Sequence, residues 1–189
     1  MNKNELTRDN IVDFILDLFA HRGAEEYMGE AVSMAQHMEQ SAACAVADGA
    51  NKELVIALLL HDIGHFMGDF PVEALENGID NCHENAGANF LAPYFSKAVT
   101  EPIRLHVAAK KYLCAVDDEY IKRLSNASID SLNVQGGPMT AAEVEMFESN
   151  PHHLAAVKAR HYDDDGKVTG LDIRPIKDYR SLLESLLRP

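Results

Sequence analysis

His37, the adjacent pair His61-Asp62, His83, His106 and one aspartate of the run Asp163-Asp164-Asp165 are the side chains of this 189-residue chain whose chemistry suits a metal ion. A single histidine on an apolar helix is more often a packed core residue than a ligand. Here they fall on separate helical segments, and helical bundles build metal sites by converging such side chains inward. Imidazole and carboxylate donors without thiolate suit iron, manganese, zinc or nickel, and spacing alone does not choose among them. His65 lies one turn beyond His61, so it looks into the same pocket without itself being a ligand. Lys110 stands one turn beyond His106, where a cation can meet an anionic group. A shift of one residue within the aspartate run would turn the ligand about 100° away, so Asp163 and Asp164 are rival assignments.

The elements that must carry these groups read as helices. Ile11, Phe14, Ile15, Leu18 and Phe19 recur at helical spacing, with Asp9 or Asn10 placed to cap. A second helix is predicted over 30–48, with Met34, His37, Met38 and Ser41 down one side and Gly49 closing it. Asn51 caps a third, whose apolar run Leu54–Leu60 delivers His61 and Asp62 at its edge before Gly64 ends it. Residues 66–77 read as a loop. Further helices are expected over 80–91, over 103–116 after Pro102, over 118–124, from the capping box Thr140-Ala141-Ala142-Glu143 to Asn150, over 152–162, and over 178–187. Gln135-Gly136-Gly137-Pro138-Met139 reads as a turn. No strand pattern recurs, which predicts an all-α bundle of a single domain over 1–189.

Composition bounds the partners. A formal charge of −13 disfavours general binding to nucleic acid or anionic lipid, both of which need a basic surface. Cys44, Cys82 and Cys114 are odd in number and far apart, so buried thiols rather than a disulfide framework are expected. The N-terminal stretch is polar, and the longest apolar run is too short to span a bilayer, so a cytoplasmic protein is expected.

The order histidine, His-Asp, late aspartate resembles the HD-domain superfamily over about residues 20–165, leaving 166–189 as a closing segment. The two further histidines resemble its two-metal subset. The resemblance implies one ion held by His37, His61, Asp62 and Asp163, the other by Asp62, His83 and His106, with Asp62 bridging. Tyr27-Met28-Gly29-Glu30, His106-Val107-Ala108-Ala109-Lys110, Ser125-Asn126-Ala127-Ser128 and Gln135-Gly136-Gly137-Pro138-Met139 are more specific. They resemble the mixed-valent di-iron oxygenases that cleave organophosphonates.

That resemblance implies two iron ions as an Fe(II)/Fe(III) pair, a small-molecule phosphonate and O2 as partners, and oxidation of C1 with release of a carboxylate and phosphate. Tyr27, on a lid, would cap one iron until substrate arrives. Glu30 would meet the substrate's ammonium group, and His65, Lys110, Ser128 and Arg160 would hold its phosphonate. Tyr27, Glu30 and Asp62 form the implied catalytic set. A quaternary ammonium favours aromatic or soft walls, for which Phe66, Met67, Phe70 and Met28 are candidates, so a trimethylated substrate giving glycine betaine is favoured over the primary amine giving glycine. The rival readings are a metal-dependent phosphohydrolase of a nucleotide or phosphate ester, and a catalytically inactive nucleotide-binding module.

Overall fold

The computed structural model describes residues 5–25, 27, 30–67 and 80–189. Its described part is all-α, with no strand; isolated bridge residues include the pair Phe95 and Leu187. In chain order the helices are α1 (Ile11–Arg22), α2 (Met34–Ala47), α3 (Lys52–Leu59), α4 (His83–Leu91), α5 (Lys97–Val116), α6 (Asn126–Val134), α7 (Ala141–Glu148), α8 (His153–Asp165) and α9 (Arg180–Ser185). Among the described residues no helix is long and apolar enough to cross a membrane.

The bundle closes around α3. Leu54 through Leu60 are all buried, so this helix is apolar on every side and has α2, α5, α8 and α9 packed about it. Burying each such Leu or Ile stabilises the fold by about 1.5–3 kcal/mol relative to leaving it in water. α1 lays Ile11, Phe14, Ile15 and Phe19 onto the same core. Its expected cap behaves otherwise: the Asn10 side chain accepts from the Thr7 N–H (2.7 Å) and donates to the Glu5 carbonyl.

Several boundaries differ from the sequence-based expectation, each for a local reason. α2 starts at Met34 rather than Glu30 because Ser33 and Gln36 form a capping box. α5 runs straight through Pro102, whose ring removes one hydrogen bond donor; the helix survives because Val99, Ile103 and Val107 are buried on one face. Ser125 caps α6, which the sequence reading passed over. Residues 118–124 hold only a short 3-10 turn, Ile121–Arg123. α8 continues to Asp165, so the aspartate run lies on its last turn.

Gly64 is not a helix terminator. α3 ends at Leu59, and Gly64 sits in a 3-10 turn, Ile63–Phe66, pressed against the start of α4. A Cβ there would stand 1.9 Å from the His83 carbonyl oxygen and 2.9 Å from the Gly87 nitrogen, so only glycine permits this approach. Cys82 just before α4 adopts the left-handed region at φ 47°, and its N–H donates to Asp80. Cys82 is exposed and Cys44 and Cys114 half-buried, all as free thiols, so the expectation of buried thiols fails for Cys82.

Candidate functional site

Five segments deliver donors to one buried point. His37 comes from the first turn of α2, His61 and Asp62 from the turn after α3, His83 from the first residue of α4, His106 from α5 and Asp163 from the end of α8. All six are buried. His37 Nε2 and His61 Nε2 lie 3.0 Å apart, and His83 Nε2 and His106 Nε2 3.1 Å apart. Asp62 stands between the pairs: Oδ2 is 3.4 Å from His61 and 3.7 Å from His37, while Oδ1 is 3.2 Å from His83 and 3.5 Å from His106. Asp163 Oδ1 is 3.3 Å from His37 Nε2. Its neighbour Asp164 turns the other way, to Arg160 and Tyr120.

The imidazole protons can be placed from the partners of the other ring nitrogen. His37 Nδ1 faces the Gly166 carbonyl at 2.9 Å, His61 Nδ1 the Leu58 carbonyl at 2.7 Å and His106 Nδ1 the Ile103 carbonyl at 2.8 Å. A carbonyl only accepts, so each Nδ1 carries the proton and each neutral ring presents a bare Nε2 lone pair. His83 reaches the same state through Asn81. The His83 backbone N–H donates to Asn81 Oδ1, which fixes the amide's orientation, and His83 Nδ1 donates to that oxygen at 3.0 Å.

Two lone pairs at 3.0 Å cannot hydrogen-bond each other. Asp62 Oδ1 and Asp163 Oδ1 are buried with no hydrogen-bond partner. Donor atoms sharing one ion at about 2.1 Å from it lie roughly 3 Å apart, which is the spacing found here. The sets His37-His61-Asp62 and Asp62-His83-His106 each fit an ion, and their second ring nitrogens are held as metal-binding histidines' usually are. Burial pushes His61 down and His106 down to about 3, so both favour the unprotonated ring a ligand needs. Burial alone would raise the Asp62 pKa, but His61 and His83 hold it well below the carboxylate range. His83 goes up despite its burial, because Asp62 favours its charged form; a metal at the bare Nε2 would compete with that second proton.

His65 carries the opposite tautomer. Asn81 Nδ2 donates to His65 Nδ1 at 3.2 Å, which leaves the His65 proton on Nε2. Burial and then His83 push His65 down to about 3, so it is a neutral N–H donor stacked on His83 at 4.1 Å. One amide thus gives two adjacent histidines different jobs.

The same cavity is lined on its other side by Tyr27, Glu30, Lys110, Ser128, Arg160 and Lys167. Tyr27 stacks on His37 with centroids 4.0 Å apart. Burial first, then Asp62 and Asp163, raise its pKa, so it stays a phenol. Lys110 Nζ meets Ser131 Oγ at 2.6 Å, and burial followed by Arg160 lowers its pKa to about 7. Arg160 donates to Asp163 (2.8 Å), Asp164, the Tyr120 hydroxyl (3.0 Å) and Ser128 Oγ (3.4 Å). Glu30 accepts from Ser125 Oγ and Lys167.

All the site residues named from the sequence except His37 and His61 line one cavity, and those two stand behind it against Asp62. The suggested apolar walls do not line it: Phe66 is buried edge-on against Phe19, 5.7 Å between centroids, and Met67 packs on the core. Met28 and Phe70 lie outside the described residues. Lys167, Asn81 and Tyr120 were missed. Asn81, two residues before a ligand histidine at a helix start, had a signal in its turn-forming type; Lys167 had none.

No protein-family profile matches the chain. It is 48% identical over 169 residues, 89% of this chain and 86% of the other, to the [1-hydroxy-2-(trimethylamino)ethyl]phosphonate dioxygenase (glycine-betaine-forming) of Leisingera caerulea. It is 44% identical over 179 residues, 93% and 88% of the two chains, to the hydroxymethylphosphonate dioxygenase of Gimesia maris. The chain belongs to the organophosphonate dioxygenase family. An uncharacterized protein of Acanthamoeba polyphaga mimivirus is also similar, 34% identical over 175 residues. The protein is thus an enzyme of oxygenase type, and its histidine and aspartate clusters mark a metal cofactor.

Proposed function

We propose that this protein uses O2 to cleave the C–P bond of (1-hydroxy-2-(trimethylamino)ethyl)phosphonate, giving glycine betaine and phosphate, within one cytoplasmic HD-type domain. The observation that carries the reading is the pairing, in one cavity, of buried bare imidazole and carboxylate donors with a cationic cradle and the facing carboxylate of Glu30. The 48% identity to a relative named for that activity supports this substrate over the primary amine.

His37, His61, Asp62 and Asp163 would hold one iron and Asp62, His83 and His106 the other. Two irons held there would supply the redox chemistry that couples O2 reduction to oxidation of C1. The chain's own part is orientation and charge. Arg160, its fork held by Asp163, Asp164, Tyr120 and Ser128, offers the phosphonate a fixed permanent charge, with Lys110 and the Ser128 hydroxyl beside it. His65 adds a neutral N–H donor. Tyr27 covers His37 and keeps water from that side, and the Glu30 carboxylate faces the substrate's cationic end, so the molecule enters in one direction.

The test is aerobic incubation of the iron-loaded protein with the trimethylated, primary-amine and hydroxymethyl phosphonates, recording O2 uptake and phosphate release. O2 consumption matched to phosphate release, greatest for the trimethylated compound, is the expected result. Hydrolysis of a phosphate ester without O2 uptake, or full activity with zinc, would overturn it. Glu30→Ala should weaken substrate binding more than it impairs metal loading.

A further inference from the structure

Lys167 is placed with more care than a surface lysine receives. It follows α8 by two residues, and the backbone on both sides is tied to α2. The Gly166 carbonyl accepts from His37 Nδ1, and Gln40 clamps Val168 twice, donating to its carbonyl and accepting from its N–H, each at 2.8 Å. Between these anchors the Lys167 side chain runs into the cavity, where only 14% of it is exposed. Its Nζ stands 3.1 Å from Glu30 Oε1, 3.0 Å from Ser128 Oγ and 3.5 Å from Ser125 Oγ, and 5.8 Å from the centre of the Tyr27 ring.

We infer that Lys167 is an internal substitute for the substrate's ammonium group: it neutralises Glu30 when the cavity is free, and so determines how strongly the cavity prefers cationic over neutral phosphonates. This rests on the reading of Glu30 given under the proposed function. A largely buried carboxylate requires a cationic partner. An ammonium-bearing ligand therefore does not meet a bare Glu30; it must replace Lys167, and only the difference between the two pairings favours it. A neutral ligand leaves the Lys167 pair intact. The displaced Lys167 ammonium remains beside Ser128, which Arg160 also contacts, so the phosphonate end can take the charge that the ammonium end releases.

The two probes are the trimethylated hydroxyphosphonate and its neutral tert-butyl isostere, in which carbon replaces the quaternary nitrogen. Both carry the same phosphonate and the same shape. Their dissociation constants are measured by anaerobic calorimetry on the iron-loaded protein, so that no turnover intervenes, and expressed as the ratio of neutral to cationic. Lys167→Met should raise that ratio about tenfold or more over the wild type, because the ligand then supplies the only cation for Glu30. Lys167→Arg should keep the wild-type ratio. Any general loss of phosphonate affinity or of stability in Lys167→Met cancels in the ratio. A ratio unchanged in Lys167→Met, with both probes weakened alike, would make Lys167 structural and overturn the inference. If the wild type binds neither probe, the proposed substrate class falls and the inference with it. If it binds both without O2-dependent turnover, the reaction assignment falls alone and the ratio still decides the lysine.

Discussion

At one end of the cavity four imidazoles are held by backbone carbonyls and one amide; at the other, Lys110, Arg160 and Lys167 are held by hydroxyls and carboxylates of other side chains. At the first end three rings are oriented by main-chain carbonyls, of Leu58, Ile103 and Gly166, and one by the Asn81 amide, so each Nε2 is aimed at the centre. The second is built on long side chains that carry charge, among which Lys167 is the one proposed above to exchange its partner. A rigid floor suits ions that need defined donor geometry, and an exchanging wall suits a zwitterionic substrate that must enter and leave.

Removing Asp62 should have the largest effect, because it alone serves both histidine pairs. Asp62→Ala is expected to lose metal at both positions and turnover with it, as elemental analysis and O2 uptake would register; retention of half the metal would show that the pairs are independent. Arg160→Met attacks the opposite wall. It strands Asp163 and Asp164, so the metal-free protein should lose about 3–5 kcal/mol in chemical denaturation, while metal restores part of it by occupying Asp163. Asn81→Leu sharpens the contrast within the floor: it frees the His83 tautomer but touches neither His37 nor His61. Metal affinity should fall about 10–100-fold at the His83-His106 position only, measured by competition with a chelator.

The last prediction concerns pH. Burial and Arg160 hold Lys110 at about 7 in the folded chain. The unfolded chain, with an ordinary lysine near 10.4, binds a proton between about pH 7 and 10 that the folded chain does not. This group's contribution to stability therefore rises with pH across that window and is flat below it. Lys110→Met should flatten the slope in urea titrations of the metal-free protein. An unaltered slope would mean that the buried ammonium keeps its proton.

Legibility followed the same division. His37, His61, Asp62, His83 and His106 could be picked out because their types are rare on apolar helices and their segments had readable periodicity. Asp163 could not be separated from Asp164, since the choice depends on where α8 ends; the structure runs that helix to Asp165 and turns Asp163 inward and Asp164 to Arg160 and Tyr120. Phe66 was a candidate wall, yet its ring is claimed by Phe19. Gly64 read as a terminator, although what requires glycine is the carbonyl of His83, distant in sequence. α5 was started too late because Pro102 is locally unfavourable, while the buried face on both sides of it outweighs one lost hydrogen bond.

By itself the sequence determined the all-helical class, the apolar run that becomes α3, and the residue types able to hold metal and phosphonate, because these depend on periodicity and side-chain chemistry. Which tautomer each histidine presents, which aspartate faces the histidine cluster, and that Lys167 answers Glu30 were decided only by the tertiary structure. Each of those depends on a carbonyl, amide or carboxylate brought close from far along the chain, as Gly166 is to His37, and no local pattern encodes that meeting.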